Sequence, residues 1–311
     1  MFPILRFVLR RILQTIPVLL GGVTITFFLI HMAPGGPFTN ERAYSPETLA
    51  QLNAHYGLDD PLLVQLGHYL KNAILHADLG PSLRYTNRSV NDIIAQGFPV
   101  SLELGLWALL FALLVGIPAG VIAALRPHSA TDHIPMTLAM TGICLPSFVL
   151  GPLLVLAFAL GLGWFNASGW NTPGDRVLPA ITLGTAYAAY LARLTRGSML
   201  EVMPQDYIRT ARAKGASEAR VVFHHALRNA LLPVVSFLGP ATAGLITGSF
   251  VVETVFHVPG LGTSFVMSAF NRDYTLVLGL VVFYATLVTG FNALVDLLIA
   301  LLDPRTRKTL T

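Results

Sequence analysis

Few side chains in this sequence combine in a pattern that could make or break bonds. The lysine of a phosphate-binding loop follows a glycine, and none of Lys71, Lys214 and Lys308 does so. His224 and His225 are adjacent, so on a helix they diverge instead of chelating a metal ion, and no carboxylate lies at ligand spacing. The sequence therefore indicates neither an ATPase nor a metal site, and we expect no cofactor on this chain.

The segment that most needs a chemical explanation is the basic stretch YIRTARAKGASEARVVFHHALRNALLP at residues 207–233. Asp206 can cap a short helix from Tyr207, Gly215 can supply the left-handed residue that ends it, and Ser217 can cap the next helix. At 100° per residue the second helix has one apolar side. That side consists of Val222, Phe223, Ala226, Leu227 and Ala230.

Two interpretations of this stretch stay open on periodicity alone. If the apolar side packs on a larger body, the turn ARAKGAS is held outward, where a soluble partner can bind it. Alternatively, the stretch is a basic helix that lies on anionic lipid. Both interpretations require a membrane or a helical bundle nearby.

The amino-acid composition indicates that the chain is a membrane protein. Hydrophobic residues make up 54% of the chain and charged residues only 12%, whereas a soluble domain has about 25% charged residues. Apolar runs of about 20 residues, long enough to cross a bilayer as helices, occur six times. They lie near residues 10–32, 100–125, 134–162, 178–197, 231–254 and 275–301. The single cysteine, Cys144, lies in the third run, so no disulfide is expected.

Basic residues set the expected orientation, because cytoplasmic flanks of membrane spans retain positive charge. An interior amino terminus leaves fourteen Lys and Arg residues inside and six outside. The inside set is Arg6, Arg10, Arg11, Arg126, Arg193, Arg196, Arg209, Arg212, Lys214, Arg220, Arg228, Arg305, Arg307 and Lys308. Six spans then place both termini and the 207–233 stretch in the cytoplasm. These charges flank spans and form no contiguous patch, so lipid is a better partner than nucleic acid.

The loop after the first span, residues 34–98, is long enough to fold outside the membrane. Ser45 as N-cap, Pro46 at the first helical position and Gly57 as the stop predict one helix. The segment PLLVQLGHYLKNAIL predicts a second helix. The pair is either a cap packed on the bundle or a docking platform for an outside partner.

Ionisable groups inside spans are candidates for function because their burial is costly. Asp296 is the clearest, with Arg193 or Arg196 as a plausible partner, and it is either a structural ion pair or a substrate ligand. Glu103 and Glu253 lie near outer ends of spans, where we expect them to stay hydrated.

Small residues at four-residue spacing predict close helix contacts inside the bundle. The pairs are Gly116 with Gly120 and Gly244 with Gly248. A self-sufficient secondary transporter would instead show inverted repeats or a chain of intramembrane acids, and neither pattern is evident.

The stretch DYIRTARAKGASEARVVFHHALRNALLPV resembles the EAA loop of binding-protein-dependent ABC importer permeases of the dipeptide and oligopeptide subfamily. Ala211, Gly215 and Leu232-Pro233 match the loop pattern, but Arg209 stands where the general pattern has Glu. Seven other segments resemble the same subfamily: HMAPGGPF, HADLGPS, AMTGICLPSF, TRGSMLEVM, VETVFHVPGLG, NRDY and DPR. Two segments, APGGPFTNER and GLITGSFVVET, look most like oligopeptide permeases.

The resemblance implies an all-α membrane protein with the type I ABC importer permease fold and about six transmembrane helices. It implies residues 1–33 as the amino-terminal segment and first span, 34–98 as an extracytoplasmic helical insertion, and 99–303 as a five-helix core. A coupling loop at about 204–230 and a cytoplasmic tail at 304–311 complete this division.

The resemblance also implies the partners and the function. A second permease subunit completes a heterodimer in the bacterial cytoplasmic membrane, two cytoplasmic ATPases use ATP and Mg²⁺, and an extracytoplasmic binding protein delivers peptides. Oligopeptides are the expected cargo, with dipeptides or nickel as alternatives. The implied ATPase-coupling residues are Tyr207, Arg209, Thr210, Ala211, Arg212, Ala213, Lys214, Gly215, Ala216 and Ser217.

Overall fold

The computed structural model describes residues 2–38, 45–247 and 250–302, and these residues are almost entirely helical. A π-helical segment, Val155–Gly161, and a 3₁₀ turn, Pro173–Arg176, lie between α-helices. A second π-helical segment spans Val221–Ala226. The helices are α1 (Phe2–Met32), α2 (Pro46–Tyr56), α3 (Leu62–Leu75), α4 (Val90–Leu125), α5 (Ala130–Cys144), α6 (Ser147–Leu154), α7 (Val177–Val202), α8 (Asp206–Ala213), α9 (Glu218–Arg220), α10 (Leu227–Ala230), α11 (Leu232–Ile246), α12 (Phe250–Phe256), α13 (Leu261–Phe270) and α14 (Tyr274–Leu302).

Four helical stretches among the described residues are long and apolar enough to cross a membrane. They are Leu13–Met32, Val90–Leu125, Pro173–Val202 and Tyr274–Val295. Three further pairs of helices pass the same test when joined across a break, which raises the possible number of spans to seven. The pair α5 with α6 covers most of the third predicted span. The pair of Glu218–Ala230 with α11 overlaps the fifth predicted span only from residue 231 onward, and its first half belongs to the predicted coupling loop. The third pair, α12 with α13, reaches beyond the fifth predicted span and forms a broken span or a re-entrant loop.

Proline accounts for the two sharpest bends that fall within predicted spans. The axes of α5 and of the helix after it differ by 108°, and Pro146 stands at the break. The chain bends by 54° before α11, where Pro233 occupies the first turn. Proline has no amide hydrogen for the helical ladder and its ring clashes with the preceding turn, so helices end or bend there.

The chain divides into two compact units. The first unit comprises Met1–Val100 with Gly260–Thr289 and includes the predicted extracytoplasmic insertion. The Ser45 side chain accepts a hydrogen bond from the Thr48 amide at 3.2 Å, and Gly57 ends α2 in the left-handed region at φ +65°. The predicted start and the predicted end of this helix are therefore both confirmed. Leu66 of α3 packs with residues of α1 and α14 in one hydrophobic cluster.

A buried carboxylate connects distant segments of the first unit. Asp273 is 1% exposed and accepts hydrogen bonds from the Ser82 hydroxyl, from the Leu83 amide at 3.1 Å and from the Leu276 amide at 3.2 Å. The sequence segments HADLGPS and NRDY therefore meet at one side chain. A buried carboxylate is stable only when its oxygens are bonded in this way.

The second unit comprises Ser101–Pro259 with Gly290–Thr311, and glycines set its helix spacing. A Cβ atom at Gly116 would lie 2.5 Å from the carbonyl oxygen of Ala188, and one at Gly120 would lie 2.5 Å from that of Ala192. The predicted close contact at this glycine pair is confirmed, because α4 and α7 approach too closely for any side chain. A Cβ atom at Gly244 would lie 2.6 Å from the hydroxyl oxygen of Tyr187, so this glycine also allows a close contact. Gly248 lies outside the described residues.

In the second unit, the partner of Arg196 and the burial of Glu253 differ from what the sequence predicted. Arg196 of α7 donates two hydrogen bonds, at 2.6 and 2.7 Å, to Asp132 of α5, which is 2% exposed. Glu253 is also buried, at 1% exposure, and accepts from Ser101 at 3.0 Å, so the expectation that it stays hydrated is wrong. Glu103 is partly exposed and pairs with Arg176 at 3.0 Å.

Candidate functional site

The candidate site begins with α8, a two-turn helix that has a buried side and an exposed side. Gln205 precedes the helix in extended conformation, and Asp206 is its first residue. Ile208 and Ala211 are buried, whereas Arg209 and Thr210 are exposed. The helix therefore presents its polar side outward while its apolar side packs inward.

A tight turn follows α8 and reverses the chain. Gly215 has φ +80°, and its amide donates to the Arg212 carbonyl at 2.9 Å. The Ala216 amide donates to the Ala211 carbonyl at 3.2 Å, which closes the turn. No atom lies within 4 Å of a Cβ atom built on Gly215, so the backbone conformation, and not lack of space, requires glycine.

The second half of the site starts at Ser217, which has the predicted capping role. Its hydroxyl accepts from the Arg220 amide at 3.4 Å. The following segment is π-helical, and the Leu227 amide donates to the Val222 carbonyl five residues earlier. Because each turn contains more residues than an α-helical turn, the apolar side shifts. Phe223 is 69% exposed, so its predicted place on the packed side is wrong, and Val221 is buried instead.

The packed side of the site forms one hydrophobic cluster with two long helices. The cluster includes Val121 and Ala124 at the end of α4, and Met199 near the end of α7. The site contributes Ile208, Ala211, Val221, Val222, Ala226 and Ala230. Burial of these side chains, at about 25 cal/mol per Å² of apolar area, attaches the loop to the bundle. The loop is therefore packed directly on the ends of α4 and α7.

Two polar contacts hold the two halves of the site together. Arg212 donates to both carboxylate oxygens of Glu218, at 2.8 and 3.2 Å, across the turn. The Asn229 amide donates to the Tyr207 hydroxyl at 2.8 Å and ties the first helix to the last turn. Neither contact was predicted from the sequence. An acid six residues after an arginine, with a turn-forming glycine between them, is the signal that would have indicated the first.

The outer surface of the turn offers donors and little bulk. Arg212, Ala213, Lys214, Gly215 and Ser217 are all exposed. Exposed Arg and Lys side chains can bind carboxylates or backbone carbonyls of a second protein. The small residues between them let that partner approach the backbone closely.

The predicted intramembrane charge, Asp296, belongs to α14, but its side chain lies outside the described residues. Of its two suggested partners, Arg196 is bound to Asp132, as described above, and the Arg193 guanidinium lies 5.2 Å from the ring centroid of Tyr190. The structure therefore brings a different acid to Arg196. Asp132 was not predicted as a partner because it lies just before the third predicted span, which begins near residue 134.

The described residues thus form a helical membrane protein that holds an exposed basic turn on a packed loop. Comparison with known proteins supplies its class. Residues 116–308 match the family model of the binding-protein-dependent transport system inner membrane component, and residues 4–105 match that of its amino-terminal region. The chain belongs to the binding-protein-dependent transport system inner membrane component family.

Individual relatives cover almost the whole chain. It is 50% identical over 305 residues to the oligopeptide transport system permease protein OppB of Haemophilus influenzae, covering 97% of this chain and 99% of the relative. It is equally similar to OppB of Salmonella typhimurium, with the same coverage. The dipeptide transport system permease protein DppB of Bacillus subtilis is 45% identical over 300 residues, covering 96% of this chain and 97% of the relative.

Solved structures agree on the fold. An inward-facing structure of the MetNI methionine ABC transporter matches 68% of this chain and 96% of its own chain, with a TM-score of 0.55 and 19% identity. An amino acid ABC transporter with histidines matches 67% and 93% of the two chains, with a TM-score of 0.51 and 16% identity. The predicted type I ABC importer permease fold is confirmed.

Proposed function

We propose that this chain is a permease subunit of an ATP-driven importer that moves oligopeptides across the cytoplasmic membrane. The observation that carries the proposal is the exposed turn of residues 212–217, which the hydrophobic cluster fixes to the ends of two long helices. The near-full-length similarity to oligopeptide permeases supports the cargo. Dipeptides are the second candidate, because a dipeptide permease is 45% identical.

The proposed mechanism uses the loop as a lever. The turn lies in a cleft of a cytoplasmic ATPase subunit, and closure of the nucleotide-bound ATPase pair moves it. The Arg212–Glu218 and Asn229–Tyr207 contacts keep the two halves of the loop together during that movement. The cluster then transmits the displacement to α4 and α7, and the pathway changes its access.

The importer needs further chains for this cycle. Two P-loop ATPases bind ATP and Mg²⁺, a second permease subunit completes the pathway, and an extracytoplasmic binding protein delivers the peptide. The exposed Arg212 and Lys214 side chains suit acidic or carbonyl groups on an ATPase surface.

In the proposed orientation both termini lie in the cytoplasm. This requires six crossings, so α12 and α13 together form a re-entrant loop that does not cross the membrane. The excess of Lys and Arg on one set of flanks supports this arrangement. Single cysteines at Gln51 and at Thr311, in a Cys144→Ser background, test it with an impermeant maleimide. We expect labelling from outside at residue 51 only, and outside labelling at residue 311 would contradict six crossings.

Peptide uptake tests the function directly. A strain that lacks this chain should lose uptake of a labelled pentapeptide, and the intact chain should restore it. A dipeptide measured in parallel separates the two cargo candidates. Unchanged uptake of both peptides after loss of the chain would contradict peptide import.

A further inference from the structure

The first unit contains a half-open cavity of about 280 Å³ that the proposed mechanism does not use. Its walls are the end of α1, the helices α2 and α3, residues 80–83 and the start of α14. Pockets for drug-sized ligands have about 300–1,000 Å³, so this cavity fits one chemical group and not a whole peptide.

Two polar atoms of the residues around this cavity have no hydrogen-bond partner in the described part of the chain. His31 Nδ1 lies 2.8 Å from the Phe27 carbonyl oxygen, so Nδ1 donates there and Nε2 is left as an acceptor. Nε2 is shielded from solvent and has no hydrogen-bond partner among the described residues. The Tyr69 hydroxyl is shielded and unpartnered in the same sense, and burial raises the pKa of Tyr69. Unpaired buried polar atoms are destabilising and indicate a missing partner.

The charge of the lining favours a cation. Asp60 is its one carboxylate among the described residues, and neither Lys nor Arg contributes to it.

Aromatic rings add to this preference. Phe27, Tyr56 and Tyr274 line the cavity. The His31 ring lies between two of them, with centroids 4.1 Å from Phe27 and 4.6 Å from Tyr274. Aromatic faces attract ammonium and guanidinium groups. Three histidines also line the cavity, but no three His, Cys, Asp or Glu residues in the described part of the chain are placed to hold a metal ion.

We propose that this cavity binds a single ammonium or guanidinium group, with Asp60 as counter-charge and His31 Nε2 as acceptor. Two sources carry that chemistry in the proposed function: the free amino terminus of a peptide, and a Lys or Arg side chain of the extracytoplasmic binding protein. The inference rests on the proposed function for these sources, whereas binding itself requires no transport.

Protection of a cysteine from modification measures binding in the assembled importer. Asn72 lines the cavity and is exposed, so Asn72→Cys in a Cys144→Ser background places a thiol at the site. Methylguanidinium is the probe, and neutral methylurea is its shape-matched control. We expect methylguanidinium to slow maleimide labelling with a half-effect at about 1–10 mM, as suits a five-atom ligand. Gln51→Cys, exposed on α2 away from the cavity, should show no protection.

Variants of the lining test the assigned roles. Asp60→Asn should weaken protection roughly tenfold, because the counter-charge is lost. Tyr274→Phe, whose ring remains, should weaken it less than twofold. Equal protection by methylurea, absence of protection by methylguanidinium, or full protection in Asp60→Asn would each overturn the proposal. Peptide uptake could still be normal in these cases, so the proposed function would survive.

The source of the cation is distinguished with the same thiol. Protection by a free-amine tripeptide, but not by its N-acetylated form, identifies the peptide terminus. Protection by cargo-free binding protein, lost after acetylation of its lysines and modification of its arginines, identifies a side chain of that protein. Protection by neither would overturn the proposal, because the cavity would then bind no group that the importer meets.

Discussion

Gly215 carries the geometry of the candidate coupling turn. Its φ of +80° lies in the region that glycine adopts at no cost, and an added side chain would meet open space. A side chain there would be disfavoured by backbone strain and would not be excluded by a clash. Substitutions that differ only in tolerance for the left-handed region should therefore have different effects.

Gly215→Val should uncouple ATP hydrolysis from peptide uptake while the chain remains inserted. A β-branched residue resists the left-handed conformation, so the turn would change shape. Gly215→Asn is the matched control, because asparagine adopts that conformation more readily. ATPase activity and uptake of the reconstituted importer provide the measurement. Normal coupled uptake by a well-expressed valine variant would disprove the role of the turn.

At the scale of elements, the π-helical segment Val221–Ala226 decides which side of the loop packs. Local signals predicted the helix stops and the capping serine, because each depends on residues within one turn. No local signal indicated a π-helical segment, so Phe223 was assigned to the wrong side. Pairs distant in sequence were also out of reach. Asp132 lies 64 residues from Arg196 and Asp273 lies 191 from Ser82, and their contacts depend on the tertiary fold.

Val222→Ala and Phe223→Ala should separate the packed and exposed sides of this segment. Val222 is 3% exposed, so its truncation leaves a cavity and should cost about 1–3 kcal/mol of stability. Phe223 is 69% exposed, so its truncation should cost less than about 0.5 kcal/mol. Thermal unfolding of the purified importer compares the two. A larger loss of stability for the phenylalanine variant would contradict this assignment of the packed and exposed sides.

At the scale of the whole molecule, the composition alone predicted a helical membrane protein, and the motifs predicted its family. Both predictions are confirmed by the helices and by the relatives. The number of crossings was less accessible, because α12 and α13 are individually too short to be recognised as spans. The cavity in the first unit could not be predicted either, because its walls come from segments that are far apart in the sequence, between about residue 27 and residue 278.

The central claim is that the exposed turn binds a cytoplasmic ATPase. The most direct measurement is to tag the chain, extract it gently from its membrane, and identify the copurifying proteins by mass spectrometry, with and without deletion of residues 209–217. We predict that a P-loop ATPase and a second permease copurify with the intact chain. The deletion should lose the ATPase and keep the second permease, which shows that the variant still folds. Retention of the ATPase by the deleted chain, or its absence from the intact one, would contradict the claim.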